Sequence, residues 1–209
     1  CKRNTLAMGN KSVMDQTFGV LILAGGKSQR MFFPKSHLLY KEKTFLENIA
    51  EGYNRAGFTN ICLVINKEYC EGEWKQYFEN AKAFVPVVQQ TDSEYGRFYS
   101  LKLGMKNFSA MDFCFIHNVD NPFIDAETIE CLYRNRNSYG YTITLHNGER
   151  GHPLLISNKV IQKINEIQDK DYNLKDILIK FPKRVAEVNN KEILLNINTL
   201  EDYEKLCCI

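Results

Sequence analysis

The apolar positions fall into short unbroken runs, separated by polar stretches with helical spacing. Phe18 to Ala24 is continuously apolar and of strand length, which is the pattern of a strand buried on both faces of a parallel sheet. Ile61 to Ile65, Phe84 to Gln90 and Phe113 to Val119 read as three more strands. Helical patterns lie between them. Thr44 and Glu47 form a capping box that starts a helix to about Arg55, and Gly57 stops it. Lys67 to Lys82 predicts one helix. Phe98 to Phe108 predicts another, with Leu101, Met105 and Phe108 at helical spacing. Asp125 caps a helix running through Arg136.

Shorter elements follow. Tyr141 to Leu145 reads as a strand, Asn147-Gly148 as a turn and Leu154 to Ile156 as a short strand. Ser157 is expected to cap a helix to about Ile167, and Asn173 one to Phe181. Val185 to Val188 and Ile193 to Ile197 read as short strands, and Thr199 with Asp202 opens the last helix. The alternation of strands and helices up to Arg136 predicts a parallel, doubly wound sheet. The later strands make it mixed. With no internal repeat and no linker, the chain reads as α/β. One three-layer α/β/α domain is expected over residues 18–209, after an N-terminal extension of residues 1–17.

Composition narrows the function classes. A chain of 209 residues can bury a full core and still carry a cleft. Hydrophobic residues at 44% and charged residues at 25% indicate a globular protein. A net charge of +2 gives no bulk attraction to nucleic acid, so any anion site has to be local. The seven cysteines include no C-x-x-C pair and no zinc-ligand spacing. They are expected to be free thiols in a reducing cytosol. Apolar runs stay well short of the roughly 18 residues that span a bilayer. Residues 1–17 lack an apolar signal-peptide core, so neither membrane nor secretion is expected, and the expected location is the cytoplasm.

The chemistry concentrates after the first strand, in Leu23-Ala24-Gly25-Gly26-Lys27-Ser28-Gln29-Arg30-Met31-Phe32-Phe33-Pro34-Lys35. Ligands of open α/β sheets sit at the carboxyl ends of strands. Adjacent glycines let backbone N–H groups approach an anion closely. Lys27, Arg30 and Lys35 add three positive charges within nine residues. Gly26-Lys27-Ser28 is not the end of a P-loop, since that pattern needs glycine at Leu21, and no G-x-G-x-x-G occurs. A second candidate is Asp120, at the end of the Phe113 to Val119 run and followed by Asn121-Pro122. A carboxylate there offers a hard cation an oxygen ligand, as Mg²⁺ requires. The bland readings are a solvated basic turn and an aspartate that only opens a turn.

Ala-Gly-Gly-x-Ser-x-Arg-Met followed by a lysine, and Asp-x-Pro later, resemble the MobA/MocA-like NTP transferase family of molybdenum cofactor guanylyl- and cytidylyltransferases. Gly151-His152-Pro153 resembles its cytidylyltransferase-like branch, and Asn196-Ile197-Asn198-Thr199 its closing Asn-Ile-Asn-Thr stretch. The likeness runs from about residue 18 to residue 206. It departs at Phe32, where the family has glycine, and at Leu200, where it has proline.

The resemblance implies a Rossmann-like nucleotide-diphospho-sugar transferase fold and a Mg²⁺-dependent nucleotidyltransferase. The expected partners are an NTP and a phosphorylated small-molecule acceptor. It implies nucleotide binding by Leu23, Ala24, Gly25, Gly26, Ser28, Arg30, Lys35 and Ser100, with Arg30, Lys35 and Asp120 catalytic. It implies Mg²⁺ at Asp120 and Asn198, and His152 and Asn196 on the acceptor side. Gly25-Gly26 points to the guanylyl branch and Gly151-His152-Pro153 to the cytidylyl-like one, so CTP and GTP both stand. The acceptor is molybdopterin or another phosphorylated alcohol such as a sugar phosphate. The rival is a non-catalytic nucleotide-binding protein. A glycosyltransferase on a similar sheet usually carries Asp-x-Asp, which Asp120-Asn121-Pro122 is not.

Overall fold

Strand β1, Phe18–Ala24, is buried along its whole length, as its unbroken apolar run predicts. The structure is a computed structural model and describes residues 16–28, 30, 31 and 33–207. Residues 1–15, Gln29, Phe32, Cys208 and Ile209 lie outside it. A small hairpin of β2 (Leu39–Tyr40) and β3 (Lys43–Thr44) leads into α1 (Phe45–Arg55). The Thr44–Glu47 capping box forms with both of its reciprocal bonds. Next come β4 (Ile61–Asn66), α2 (Lys75–Lys82), β5 (Val87–Thr91), α3 (Gly96–Met105), β6 (Phe113–Asn118) and α4 (Ala126–Arg134). The chain closes with β7 (Tyr141–His146), β8 (Glu149–Ser157), α5 (Asn158–Glu166), α6 (Leu174–Leu178), β9 (Lys183–Glu187) and α7 (Leu200–Cys207).

Seven strands make one sheet in the order β5-β4-β1-β6-β8-β7-β9. Only β8 runs against its neighbours, so the sheet is mixed but mostly parallel. Side chains alternate between the faces of β1. Val20 and Ile22 share a core with Phe45, Ile49 and Tyr53 of α1 and Ile129 and Leu132 of α4. Leu21 and Leu23 share the other with Leu101 and Met105 of α3 and Val160 and Ile164 of α5. Helices therefore cover both faces, which gives the expected three layers. The chain leaves β1 for β4 on one side and reaches β6 on the other, so a crevice opens at the carboxyl end of β1. No helix among the described residues is long and apolar enough to cross a membrane.

Several elements differ from expectation for identifiable reasons. The single helix over Lys67 to Lys82 is broken into two 3-10 turns and α2, because Gly72 takes a φ of +59°. β5 starts after Pro86 instead of at Phe84, since proline offers no N–H to the ladder. β8 is nine residues long, much longer than Leu154 to Ile156, because the Asn147-Gly148 turn pairs it with β7. Ile193 to Ile197 is not a strand. Asn190 caps a 3-10 turn over Lys191–Leu194, which buries Ile193 and Ile197 and leaves Leu195 exposed. Ser157 precedes α5 but makes no side-chain cap bond, whereas Asp125 and Asn173 do cap their helices. Other element ends move by a few residues.

Candidate active site

Parallel register brings the carboxyl ends of β1 and β6 together, with Leu23 opposite Asn118. The two segments that follow form the walls of a cleft of about 490 Å³. One wall is the loop after β1, with Gly25, Gly26, Ser28, Arg30 and Lys35. The other is the turn after β6 with Asp120, joined by Asn198 from the stretch before α7, and Ser100 lines the cleft from α3.

The loop holds its shape by specific contacts. Ser28 adopts a φ of +47°, and its carbonyl accepts from Met31 N at 2.8 Å, which closes a tight turn. Met31 is buried and anchors that turn in the core. Lys35 N donates to Ser28 Oγ at 3.4 Å, and the Tyr69 hydroxyl donates to the carbonyl of Lys27. Gly25 is required by close packing, because a Cβ there would lie 2.6 Å from Ser100 Oγ and 2.7 Å from Thr91 Cγ2. Ser100 Oγ in turn faces Thr91 Oγ1 at 3.2 Å, which ties α3 to the end of β5 at the place where Gly25 packs. A Cβ on Gly26 would meet no protein atom within 4 Å. Its bare backbone faces the cleft.

Lys35 reaches across. Its Nζ donates to Asn198 Oδ1 at 2.8 Å and stands 4.0 Å from Asp120 Oδ2. Burial pushes the Lys35 ammonium below its ordinary pKa. Asp120 opposes that shift and Arg30 adds to it. Asp120 Oδ1 is buried without a hydrogen-bond partner. A buried, unsatisfied carboxylate oxygen is costly unless something binds it. No group of three His, Cys, Asp or Glu side chains gathers among the described residues. The donor set of one carboxylate and one nearby amide suits a hard ion that keeps water and phosphate oxygens, such as Mg²⁺, and not a closed zinc site. Asn198 Oδ1 is engaged by Lys35, so it becomes a metal ligand only if Lys35 turns to another anion.

A second cavity of about 800 Å³ adjoins the first and shares Leu23, Arg97 and Asn118 with it. His152 lines this second cavity. A bulge inserts His152 and Pro153 into β8 between the pairs Thr144–Gly151 and Ile143–Leu154, which turns the imidazole toward Asn118. Asn118 Nδ2 lies 3.3 Å from both ring nitrogens. Burial lowers the His152 pKa, with Asp120 opposing, so the ring is neutral near pH 7. Asn196 does not join it. The side chain is exposed and lines neither cavity, because the turn that buries Ile197 points its neighbour outward.

Sequence reasoning missed Arg97 and Asn118. Both line the two cavities. Their signals were a glycine just before an arginine at a helix start, and a polar residue closing an otherwise apolar strand.

The family described as the MobA-like NTP transferase domain matches residues 20–186. The molybdenum cofactor cytidylyltransferase of Escherichia coli is 25% identical over 183 residues, covering 88% of this chain and 92% of that protein. The probable molybdenum cofactor guanylyltransferase of Clostridium perfringens is 30% identical over 200 residues, covering 88% of this chain and 93% of that protein. The crystal structure of Rv0371c from Mycobacterium tuberculosis superimposes with a TM-score of 0.73 at 19% identity, over 91% of this chain and 97% of that one, a likeness of fold.

Proposed function

The chain belongs to the MobA-like NTP transferase family and is a nucleotidyltransferase, and we propose that it transfers a nucleoside monophosphate from CTP or GTP to a phosphorylated small-molecule acceptor. Molybdopterin is the first acceptor to test, since the relatives' names point there. The observation that carries this reading is the 4.0 Å approach of Lys35 Nζ to Asp120 Oδ2 across one cleft. With a cation and a carboxylate this close in one cleft, Lys35 would meet a phosphate oxygen while Asp120 would hold a metal ion serving the same triphosphate.

The residues then divide the work. Leu23, Ala24, Gly25 and Gly26 receive the nucleoside along bare backbone. Ser28, Arg30 and Lys35 take the triphosphate oxygens. Arg30 and Lys35 compensate the charge that grows on the leaving pyrophosphate. Asp120 and Asn198 would hold the metal ion. Mg²⁺ supplies charge neutralisation and orientation of the phosphates when bound. Lys35, released from Asn198 by the stronger countercharge, frees the Asn198 oxygen. In the second cavity the neutral His152 and Arg97 orient the acceptor. An oxygen of the acceptor's phosphate forms a bond to the α-phosphorus as the α–β bridging bond breaks, and pyrophosphate departs. No enzyme-bound covalent intermediate is required, because positioning and charge compensation supply the rate.

A thermal-shift screen of four NTPs with Mg²⁺ tests the reading. CTP or GTP at a hundred times its dissociation constant is expected to add about 2.7 kcal/mol of stability. Pyrophosphate release with molybdopterin is expected to follow for the same nucleotide. Stabilisation by a nucleotide without pyrophosphate release from any acceptor would favour a binding protein, and indifference to all four would end the proposal.

A further inference from the structure

The middle residue of the Asp120-Asn121-Pro122 turn is fully buried, yet it carries a primary amide. Asn121 Nδ2 donates to the carbonyl of Leu195 at 2.5 Å and to those of Ile193 and Glu192 at 3.1 Å each. Asn121's own carbonyl lies 2.7 Å from His117 Nε2, and His117 Nδ1 pairs with the Tyr53 hydroxyl at 3.1 Å. Ile197 N donates to the Asp120 carbonyl at 2.8 Å. One turn thus grips the segment from Glu192 to Ile197 on both sides. The next residue along, Asn198, is the one that holds Lys35. An apolar side chain of the same size would leave interior carbonyls without this donor.

We infer that Asn121 is a positioning residue. It docks the 192–197 segment on the Asp120 turn and thereby sets where Asn198 and Lys35 stand relative to Asp120. It reaches neither nucleotide nor metal itself. The inference rests on the reading of the cleft as a Mg²⁺·NTP site, and its test separates the two.

Asn121→Ala is compared with Asn190→Ala by hydrogen exchange and by calorimetric titration of CTP and GTP with Mg²⁺. Asn190 ties the same segment at its start, through Asp125 Oδ2 at 2.6 Å and Glu192 N at 2.9 Å, and lines neither cavity. Asn121→Ala is expected to speed exchange at the amides of Ile197, Asn198 and Thr199. It is also expected to weaken Mg²⁺-dependent nucleotide affinity by about tenfold or more. Asn190→Ala is expected to lower the melting temperature with affinity near wild type. Unchanged exchange around Asn198 in Asn121→Ala, or equal affinity losses in the two variants, would overturn the inference. Should Asn121→Ala not fold, Asn121→Ser is measured in its place. A wild-type protein that binds no NTP removes the functional reading, and exchange then decides the docking role alone.

Discussion

Lys35 answers to opposing influences. Burial disfavours its charge and Asp120 favours it, with the first effect larger. The folded pKa therefore lies below the unfolded 10.5, and the unfolded chain binds more protons between the two values. Stability contributed by this group rises with pH across that window. Lys35→Ala removes the unfavourable buried charge, so the ligand-free protein is expected to stay folded while turnover falls about a hundredfold. Asp120→Ala is expected to behave alike, because the bond that docks the tail comes from the Asp120 carbonyl and survives the change. Circular dichroism melts and pyrophosphate release check both. Near-wild-type release in either variant would sink the role assigned to it.

Two buried histidines set a pH limit. Burial pushes His37 down to about 4 and His117 down to about 3. Both are neutral in the fold at pH values where the unfolded chain takes up protons. Their contribution is present above about 6.5 and is lost as pH falls toward the folded values. Between pH 7.5 and 5.5 each is expected to remove about 1 kcal/mol. Urea denaturation at several pH values measures the slope, and His117→Gln is expected to flatten it. A slope unaltered by that substitution would assign the effect elsewhere. At this scale Lys35, Arg30 and Asp120 were legible because charged residues stood out beside apolar runs. Arg97 looked like any solvated arginine, and Asn118 was hidden inside a strand.

Among the elements, the loop after β1 and the start of α3 are matched to each other through Gly25. Gly25→Ala would push Ser100 and Thr91 away. It is expected to cost about 1–3 kcal/mol of stability and to lower nucleotide affinity. Gly26→Ala meets no protein atom, so its stability is expected to match wild type while affinity falls. Paired denaturation and titration experiments separate packing from ligand approach. Normal affinity in Gly26→Ala would mean the phosphates do not use that space. The strands of the parallel part were legible because burial on both faces leaves unbroken apolar runs. Ile193 to Ile197 reads as a strand because its apolar residues run almost unbroken over strand length. Its capping Asn190 and the buried Asn121 decide the outcome, and neither contact is visible in a pattern of hydropathy. β8 was underestimated because Glu149 to His152 are polar at the sheet's open end.

For the whole molecule, the alternation of strands and helices narrows the strand order without fixing it. It implies a doubly wound sheet, yet nothing local says that β8 inserts antiparallel between β6 and β7. The nucleotide cleft sits where β1 and β6 end, while the antiparallel β8 brings His152 to the adjoining cavity. The free cysteines agree with expectation among the described residues, where Cys62, Cys70 and Cys114 are buried in the core and the Cys62 thiol is pushed up to about 12.

Trp74, the only tryptophan in the chain, packs edge-on against Phe33 with ring centroids 4.9 Å apart. Phe33 belongs to the stretch that carries Arg30 and Lys35, so the indole touches the rear of the phosphate-facing segment. The protein therefore holds its own optical reporter, with no label to attach and no second indole to blur the signal. Adding CTP or GTP with Mg²⁺ is expected to alter emission saturably, with a midpoint equal to the calorimetric dissociation constant. An emission spectrum that ignores saturating nucleotide would mean the segment is already set before the ligand arrives, and that recognition proceeds by fit to a rigid surface.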